Sequence, residues 1–338
     1  MTSQQQQSQM ALQARQRNFQ FLAARRQQQA QSQTTGQPMG RSMATAYDYL
    51  PIVEPSDLGW IGGKPAYIIS FESACRTGSV STIQSVTTSQ ELTPITLHNG
   101  LVATLRAGHV GATRCLLQLG TLITPRTAEN ILFAPMDRQV PLFDLLAHHG
   151  WDPNTPDRNG APLLPRVVKN IHLLKWFLDH GANPNLGSQE HPTFCKAVEA
   201  AAETGTVEAV RMLLDAGAHM DNGGPLYYAA GVCPPGENPY MGTVSPSTDF
   251  DEDRIAVMEL LVERGANVNQ KLETRHMVPG YPLVIAVMAG AVGRVKWLLE
   301  HGADVRLKGA FGSAVDYANG MGSDEMKRVI GDAVERLG

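Results

Sequence analysis

The sequence lacks the features that would place it in several large classes of protein. Its four cysteines, Cys75, Cys115, Cys195 and Cys233, are widely separated, whereas a zinc site or a disulfide framework needs clustered thiols. No apolar run approaches the ~18 residues of a membrane span, and the amino terminus has no apolar centre typical of a secretory signal. These absences predict a soluble protein with reduced thiols, in the cytoplasm, the nucleus or both.

Motifs that carry catalysis are absent as well. The chain has no HExxH zinc motif, no Walker phosphate loop, no GxSxG nucleophile elbow and no kinase signature. The sequence Gly62-Gly63-Lys64 lacks the upstream glycine and the downstream Ser or Thr of a phosphate loop, so we interpret it as a turn. The histidines have no carboxylate or cysteine partner at metal-ligand spacing. The sequence therefore predicts no cofactor and no metal site, and an enzyme is kept only as the alternative of another class.

Acidic residues are missing from residues 1–46, which are rich in glutamine. This segment contains Arg15, Arg17, Arg25, Arg26 and Arg41, so its charge is +5 and the rest of the chain carries −9 of the total of −4. It has too few apolar side chains to offset the entropy lost on folding. The sequence predicts a disordered Gln-rich basic arm over residues 1–46, followed by a linker over residues 47–65.

The feature that is present is an internal repeat. Its clearest copy runs from Pro282-Leu283-Val284-Ile285-Ala286 through Gly290 to Val305. Gapless matches to its second half start at Gly108 and Gly205. Three further copies end in a similar way, at Gly150-Trp151-Asp152, Gly181-Ala182-Asn183 and Gly265-Ala266-Asn267. Self-similarity at a period of roughly 33 residues predicts helical repeats that must stack, because one repeat cannot bury its apolar face alone.

Each part of the repeat has a physical role. Pro282 falls in the first turn of a helix, where its missing N–H costs nothing. Gly290 makes a tight turn into a second helix, whose Leu-Leu positions recur at helical spacing. Gly302 takes the left-handed conformation that ends a helix. The Asn-x-Asn of Asn267 and Asn269 then starts a turn through hydrogen bonds from side chain to backbone.

These residues resemble the ankyrin repeat, most specifically in the endings Gly302-Ala303-Asp304-Val305 and Gly265-Ala266-Asn267-Val268-Asn269. The resemblance covers about residues 66–338, and the form of His149-Gly150-Trp151-Asp152 looks most like ankyrin proteins of filamentous fungi. It implies an all-α ankyrin-repeat solenoid of about eight helix-turn-helix repeats. Their first helices are expected to start near Ser70, Gly100, Asn130, Pro162, Pro192, Pro225, Pro282 and Ala314.

Two repeats depart from the family pattern. In the third, Ala134-Pro135 is expected to break the last turn of the first helix. In the sixth, an insertion at about residues 232–252 lies between the two helices and begins with the proline-rich Cys233-Pro234-Pro235-Gly236. We expect the insertion to project from the edge opposite the fingers and to be mobile. Its deletion is expected to cost little, because the free energy of loop closure grows slowly with length.

The resemblance also implies where partners bind. Ankyrin proteins bind partners on the fingers, which link one repeat to the next, and on the concave face made by the first helices. Concave positions, just before the turn between the helices, are Arg106, Lys169, Glu203, Thr204 and Met288. Finger positions are Trp151, Gln189, Glu190, His219, Asp221, Arg275 and His276. The alternative for each of them is ordinary solvated surface.

The predicted function is therefore non-enzymatic binding of one or more proteins. One version is a transcription coregulator, since a Gln-rich basic arm suits a nuclear partner; another is an adaptor that recruits clients to a signalling or degradation complex. No small-molecule substrate and no membrane partner are expected. DNA binding by the arm is a further alternative, because Arg15 to Arg26 faintly resembles the basic region of fungal bZIP factors. That segment lacks the leucine heptads that would dimerise it.

Overall fold

The computed structural model describes residues 63–157, 160–187, 196–220, 224–239, 244–272, 280–309 and 311–336. The chain divides into two compact units, Met1–Gly160 and Ala161–Gly338. They are called unit 1 and unit 2.

The described residues of unit 1 form three helix pairs. Their elements are α1 (Ala66–Thr77), α2 (Val80–Ser89), α3 (Pro94–Ala107), α4 (Val110–Gln118), a 3₁₀ helix (Ala128–Phe133) and α5 (Met136–His148). The first helices α1, α3 and the 3₁₀ helix pack in a row, and the second helices α2, α4 and α5 form a parallel row. Phe71, Leu101, Leu116 and Leu142 are fully buried between the rows.

Within the part of unit 2 that the structure describes there are five helix pairs. Its helices are α6 (Leu164–Val167), α7 (Ile171–Asp179), α8 (Lys196–Thr204), α9 (Val207–Asp215), α10 (Pro225–Gly231), α11 (Thr248–Glu263), α12 (Pro282–Met288), α13 (Val292–Glu300), α14 (Ala314–Met321) and α15 (Asp324–Glu335). Each first helix packs on the next first helix, and each second helix packs on the next second helix. Leu213, Leu261 and Leu298 are fully buried in the second-helix row.

The fold is thus all-α and built from ankyrin-type helix pairs, eight of them in the part of the chain that the structure describes. Extended pairing within those residues is limited to isolated bridges, Leu272 with Gly280 and Lys308 with Ser313. The repeat count and the fold class predicted from the sequence are confirmed. The first helix expected near Pro192 begins at Lys196 in the described residues.

The turns form as the repeat motif predicts. Gly78 and Gly108 end α1 and α3 with φ values of 77° and 78°, a left-handed conformation that glycine adopts without steric cost. In the fingers, the Asn267 side chain accepts a hydrogen bond from the Asn269 backbone N–H at 2.9 Å. The Asn269 side chain then accepts from the Asp304 N–H at 2.8 Å. One asparagine therefore shapes its own turn, and the next joins two successive repeats.

The break predicted in the third repeat is confirmed. The first helix there is a single 3₁₀ segment that ends at Phe133, and Ala134 is extended with a ψ of 158°. Pro135 then starts α5. A residue before proline is disfavoured in the helical region by a steric clash, which explains why the chain leaves the helix at this point.

The second half of the insertion does not project as a loop, whereas its mobility and the cost of its deletion stay predictions. Residues from Thr248 onward are the first turns of α11, which is capped by the Ser247 side chain accepting from the Phe250 N–H at 3.3 Å. Val244 is only 4% exposed. A Cβ at Gly290 would overlap the Val244 carbonyl oxygen, so the insertion passes directly against the turn between α12 and α13. The proline-rich composition of the insertion does not indicate this packing, because the contacts are made with residues distant in the sequence.

Helix α12 is buried on every side. All seven of its residues, from Pro282 to Met288, are buried, as expected of a helix that is apolar around its whole circumference. The end of α10 lies close to it, since a Cβ at Gly231 would be 2.5 Å from Ile285 Cγ1. Helix α12 is therefore enclosed by its neighbours in the row of first helices.

Candidate partner-binding surfaces

Among the described residues of unit 1, exposed apolar side chains lie beside the guanidinium of Arg106. Arg106, in the last turn of α3, places its guanidinium 4.4 Å from the centre of the Phe133 ring. Phe133 is 60% exposed and Met136 is 66% exposed. We call Arg106, Phe133, Met136 and Arg138 the Arg106 patch. Its members come from two successive repeats that pack against each other.

The break at Ala134 positions this patch. Because the 3₁₀ helix ends there, Phe133 lies at a helix end rather than in a packed helical row. The following residues close against the preceding turn: a Cβ at Gly108 would lie 3.0 Å from Pro135 Cδ and 3.3 Å from Arg138 Cβ. A glycine at residue 108 is what lets α5 start so close to α3.

Arginines occupy equivalent positions before two successive turns of unit 1. Arg76 stands two residues before Gly78, as Arg106 stands two residues before Gly108, and both side chains are exposed. The Arg76 carbonyl is hydrogen-bonded to His109 Nε2 at 2.8 Å, which joins the two turns. Arg138 is also exposed and forms a surface ion pair with its neighbour Asp137 at 3.1 Å, a kind of contact that contributes little free energy.

The predicted concave residues of unit 2 have mixed outcomes. Lys169, Glu203 and Thr204 are exposed, as their positions before the turns imply. The Thr204 hydroxyl donates to the Ala200 carbonyl within α8 at 2.9 Å. On the neighbouring α10, burial raises the pKa of Tyr228, and the nearby Glu199 and Glu203 raise it further. Glu203 is exposed near the end of α8 and Glu199 is buried in the same helix.

The sequence predicts that Met288 is exposed on the concave face, but Met288 is buried. It is 8% exposed, because the second half of the insertion lies beside it. It contributes to the lining of a cleft rather than to an open groove.

The sequence predicts that Trp151 is exposed on a finger, but Trp151 is buried. It is 7% exposed, and its ring centre lies 5.3 Å from that of Phe143 in α5. The large aromatic ring gains more free energy from packing under the finger than from facing water. Trp151 therefore belongs to the core of unit 1 and is not an exposed anchor.

The other finger residues are tested only in part. His219 is exposed, and its backbone N–H donates to the Asn185 side chain at 2.8 Å. The remaining predicted finger residues lie outside the described residues: Gln189, Glu190, Asp221, Arg275 and His276. They stay predictions.

A cleft of about 560 Å³ lies beside the insertion in unit 2. We call it the insertion cleft. Its apolar lining consists of Val244, Ile255, Val287, Met288, Val292 and Met321. Glu252, Lys296 and Glu325 also line it, and Lys296 donates to Glu325 at 2.7 Å. The sequence motifs do not indicate this cleft, because its walls are separated by about 80 residues in sequence.

A buried ion pair holds the wall of this cleft. Arg294 in α13 is fully buried and donates through Nε to Asp251 Oδ1 in α11 at 2.8 Å. Its Nη1 also donates to the carbonyls of Ala230 at 2.7 Å and Val232 at 2.8 Å. Burial lowers the pKa of Arg294, and the carboxylate of Asp251 opposes that shift. One side chain thus joins α10, the start of the insertion, α11 and α13.

The described residues contain no group of three or more His, Cys, Asp or Glu side chains that could hold a metal ion. No helix among them is both long and apolar enough to cross a membrane. Burial raises the pKa of the Cys75 thiol to about 12 and also raises the pKa of Cys115. Both side chains are therefore uncharged core groups at neutral pH.

Solved structures resemble the chain, and an ankyrin repeat domain is among them. The crystal structure of the human ASB11 ankyrin repeat domain resembles the chain with a TM-score of 0.39 and 19% sequence identity, over 78% of this chain and 96% of that one. No family model and no curated protein matches the chain. The ankyrin character of the fold accordingly rests on its own helix pairs, glycine turns and asparagine bridges. The predicted likeness to proteins of filamentous fungi gains no support from these comparisons.

Proposed function

We propose that this chain is a non-enzymatic scaffold that binds another protein through the Arg106 patch, and that the bound segment is acidic and carries an apolar side chain. The observation that carries the proposal is the guanidinium of Arg106 stacked 4.4 Å from an exposed Phe133 ring. Arginine and aromatic residues dominate the binding energy of protein interfaces.

The chemistry of the patch supports an acidic partner. Arg76 and Arg106 are exposed cations, and Arg138 is exposed beside Asp137. A guanidinium above an aromatic ring directs its N–H groups outward from its own edges, where they can form paired hydrogen bonds with a carboxylate. Phe133 and Met136 add apolar area that an unbound protein leaves in water. Covering that area favours association by roughly 25 cal/mol per Å² before the entropic cost of binding.

Quantitative affinity capture with the full chain tests the proposal. The pair Arg106→Ala and Phe133→Ser should lose the partners that wild type retains, and those partners should share an acidic segment. Arg114→Ala is the matched control, because Arg114 is an exposed arginine on the neighbouring second helix α4. Equal capture by wild type and the double variant would show that the Arg106 patch is not the binding surface.

For the cellular role, we favour a transcription coregulator, with an adaptor in a signalling or degradation complex as the second version. The support is the basic, Gln-rich composition of residues 1–46, which suits a nuclear partner. Imaging of the full chain and of a variant lacking residues 1–46 tests this role. Nuclear accumulation that depends on the arm supports the coregulator, whereas an unchanged cytoplasmic distribution together with captured ligase or kinase subunits supports the adaptor.

A further inference from the structure

Helices α1 and α3 of unit 1 end in the same way. Each ends at a glycine with a left-handed backbone, and Arg76 and Arg106 each lie two residues before that glycine. The two helices pack against each other, and His109 Nε2 lies 2.8 Å from the Arg76 carbonyl across the two turns. The arginines are therefore equivalent groups in successive repeats. Their backbones are separated by about 8–10 Å, the usual distance between the axes of packed helices.

The other charges of this row neutralise one another. Carboxylates occur on α1, on the 3₁₀ helix and at the start of α5, and each has a cation beside it, in the ion pairs Lys64–Glu72, Arg126–Glu129 and Arg138–Asp137. Helix α3 contains no acidic residue. Within the described residues, Arg76 and Arg106 are exposed and form no ion pair. The row therefore offers two unpaired guanidinium groups, one from each of two successive repeats.

The third repeat presents apolar surface at the next position of the row. Its first helix ends at Phe133, and Met136 follows at the start of α5. Both side chains are exposed. The Arg106 side chain extends toward this repeat, since its guanidinium lies 4.4 Å from the centre of the Phe133 ring. From the first repeat to the third, the order of groups is therefore cation, cation and apolar side chain.

We infer that the partner presents a polyproline II segment in which two acidic residues are three positions apart and an apolar residue lies three positions beyond the second; the inference rests on the proposed function of the Arg106 patch. A polyproline II helix has about three residues per turn and rises about 3.1 Å per residue, so every third side chain lies on one face at intervals of about 9 Å. That interval matches the distance between packed helices, whereas a β-strand places side chains three positions apart on opposite faces. The acidic residues bind Arg76 and Arg106, and the apolar residue contacts Phe133.

Binding of synthetic peptides to the full chain tests this spacing. The probe is fluorescein-labelled Glu-Pro-Pro-Glu-Pro-Pro-Leu, whose prolines favour the polyproline II conformation. The reversed sequence is made as well, because the segment can run in either direction along the row. Control peptides of the same composition have the two glutamates adjacent or four positions apart, also in both directions. In anisotropy titrations, the tighter of the two probes should have a Kd at least about tenfold below every control, because only its carboxylates reach both arginines.

Charge reversal then assigns each contact. Arg76→Glu and Arg106→Glu should each raise the Kd of the probe at least about tenfold, with melting curves confirming that both variants fold. A peptide with lysine in place of the glutamate farther from the leucine should restore binding to Arg76→Glu alone. Lysine in place of the nearer glutamate should restore it to Arg106→Glu alone. Arg114→Glu is the matched control, because Arg114 is exposed on the second helix α4, and it should bind the probe as wild type does.

The outcomes separate this inference from the proposed function. Equal affinity for all spacings would overturn the inferred segment, as would normal binding by Arg76→Glu. In either case a loss of binding in Arg106→Glu would still leave the Arg106 patch as the binding surface. If wild type binds neither probe, the inference is also overturned, and affinity capture with Arg106→Ala, Phe133→Ser decides the proposed function independently.

Discussion

At the scale of single residues, the buried ion pair of unit 2 has the clearest energetic consequence. Asp251→Ala would leave the guanidinium of Arg294 buried without its carboxylate, and breaking a buried pair in this way costs roughly 3–5 kcal/mol. We expect denaturant unfolding of Asp251→Ala to show that loss. The double variant Asp251→Ala, Arg294→Met should recover part of it, because it removes the unpaired charge. A double variant no more stable than the single one would contradict this account of the pair.

His98 gives unit 1 a dependence on pH. Its ring is buried, Nδ1 lies 2.9 Å from the Leu122 carbonyl, and burial lowers its pKa. The unfolded chain therefore binds a proton at a higher pH than the folded chain. Stability from neutral His98 is present above the unfolded pKa of about 6.5 and is lost as the pH falls below it, by up to ~1.4 kcal/mol per pH unit.

His98→Gln should flatten this pH dependence, because glutamine can bond the same carbonyl without titrating. The measurement is the free energy of unfolding of wild type and His98→Gln between pH 7.5 and 5.5. Parallel curves for the two proteins would show that His98 is not the titrating group.

The sequence predicts the roles of the turn residues, but it does not predict which side chains are exposed. The glycines and the Asn-x-Asn motif act within a few residues, so their sequence signals are local. Repeat position alone predicts that Trp151 and Met288 lie at the surface, and both are buried. Conversely, Phe133 was missed, because periodicity does not distinguish a core phenylalanine from one left exposed where a helix ends at Ala134-Pro135.

At the scale of elements, the insertion differs most from its prediction. The sequence correctly places an extra segment after α10, but its composition suggests a loop with little to bury. The structure shows Val244 buried and α11 beginning at Thr248. What anchors the segment is a partner 43 residues away in Arg294 and a glycine in the next repeat. Contacts of that range follow from tertiary packing and leave no pattern in one sequence.

Two glycine substitutions separate backbone strain from packing of the insertion. Gly290 and Gly302 both have positive φ values, 64° and 87°, so alanine at either site carries a similar backbone penalty of about 1–2 kcal/mol. Only at Gly290 would the new Cβ overlap the Val244 carbonyl, whereas it meets nothing within 4 Å at Gly302. Gly290→Ala should therefore lower the stability clearly more than Gly302→Ala, and should increase protease cleavage within residues 232–247. Equal losses from the two variants would mean that the insertion does not rest on this turn.

At the scale of the whole molecule, charge is distributed unevenly along the chain. The arm carries +5 and residues 161–338 carry −6, while the exposed arginines of the Arg106 patch lie in unit 1. Different parts of the chain are thus suited to partners of opposite charge. Stacked repeats interact mainly with their neighbours, so a lesion in unit 2 should have little effect on binding through unit 1.

The central claim is that the Arg106 patch binds a partner. The most direct measurement is the Kd of the full chain for a partner found by affinity capture, compared with the variant Arg106→Ala, Phe133→Ser. Loss of an interface anchor costs ~2 kcal/mol or more, which is about a 30-fold rise in Kd. Arg114→Ala should bind within about twofold of wild type. Leu213→Ala, which removes a fully buried side chain in unit 2, should lower stability by ~2–5 kcal/mol without this effect on Kd. We predict that the Kd of the patch variant rises about 30-fold, while its melting temperature is unchanged. A Kd equal to that of wild type would contradict the account.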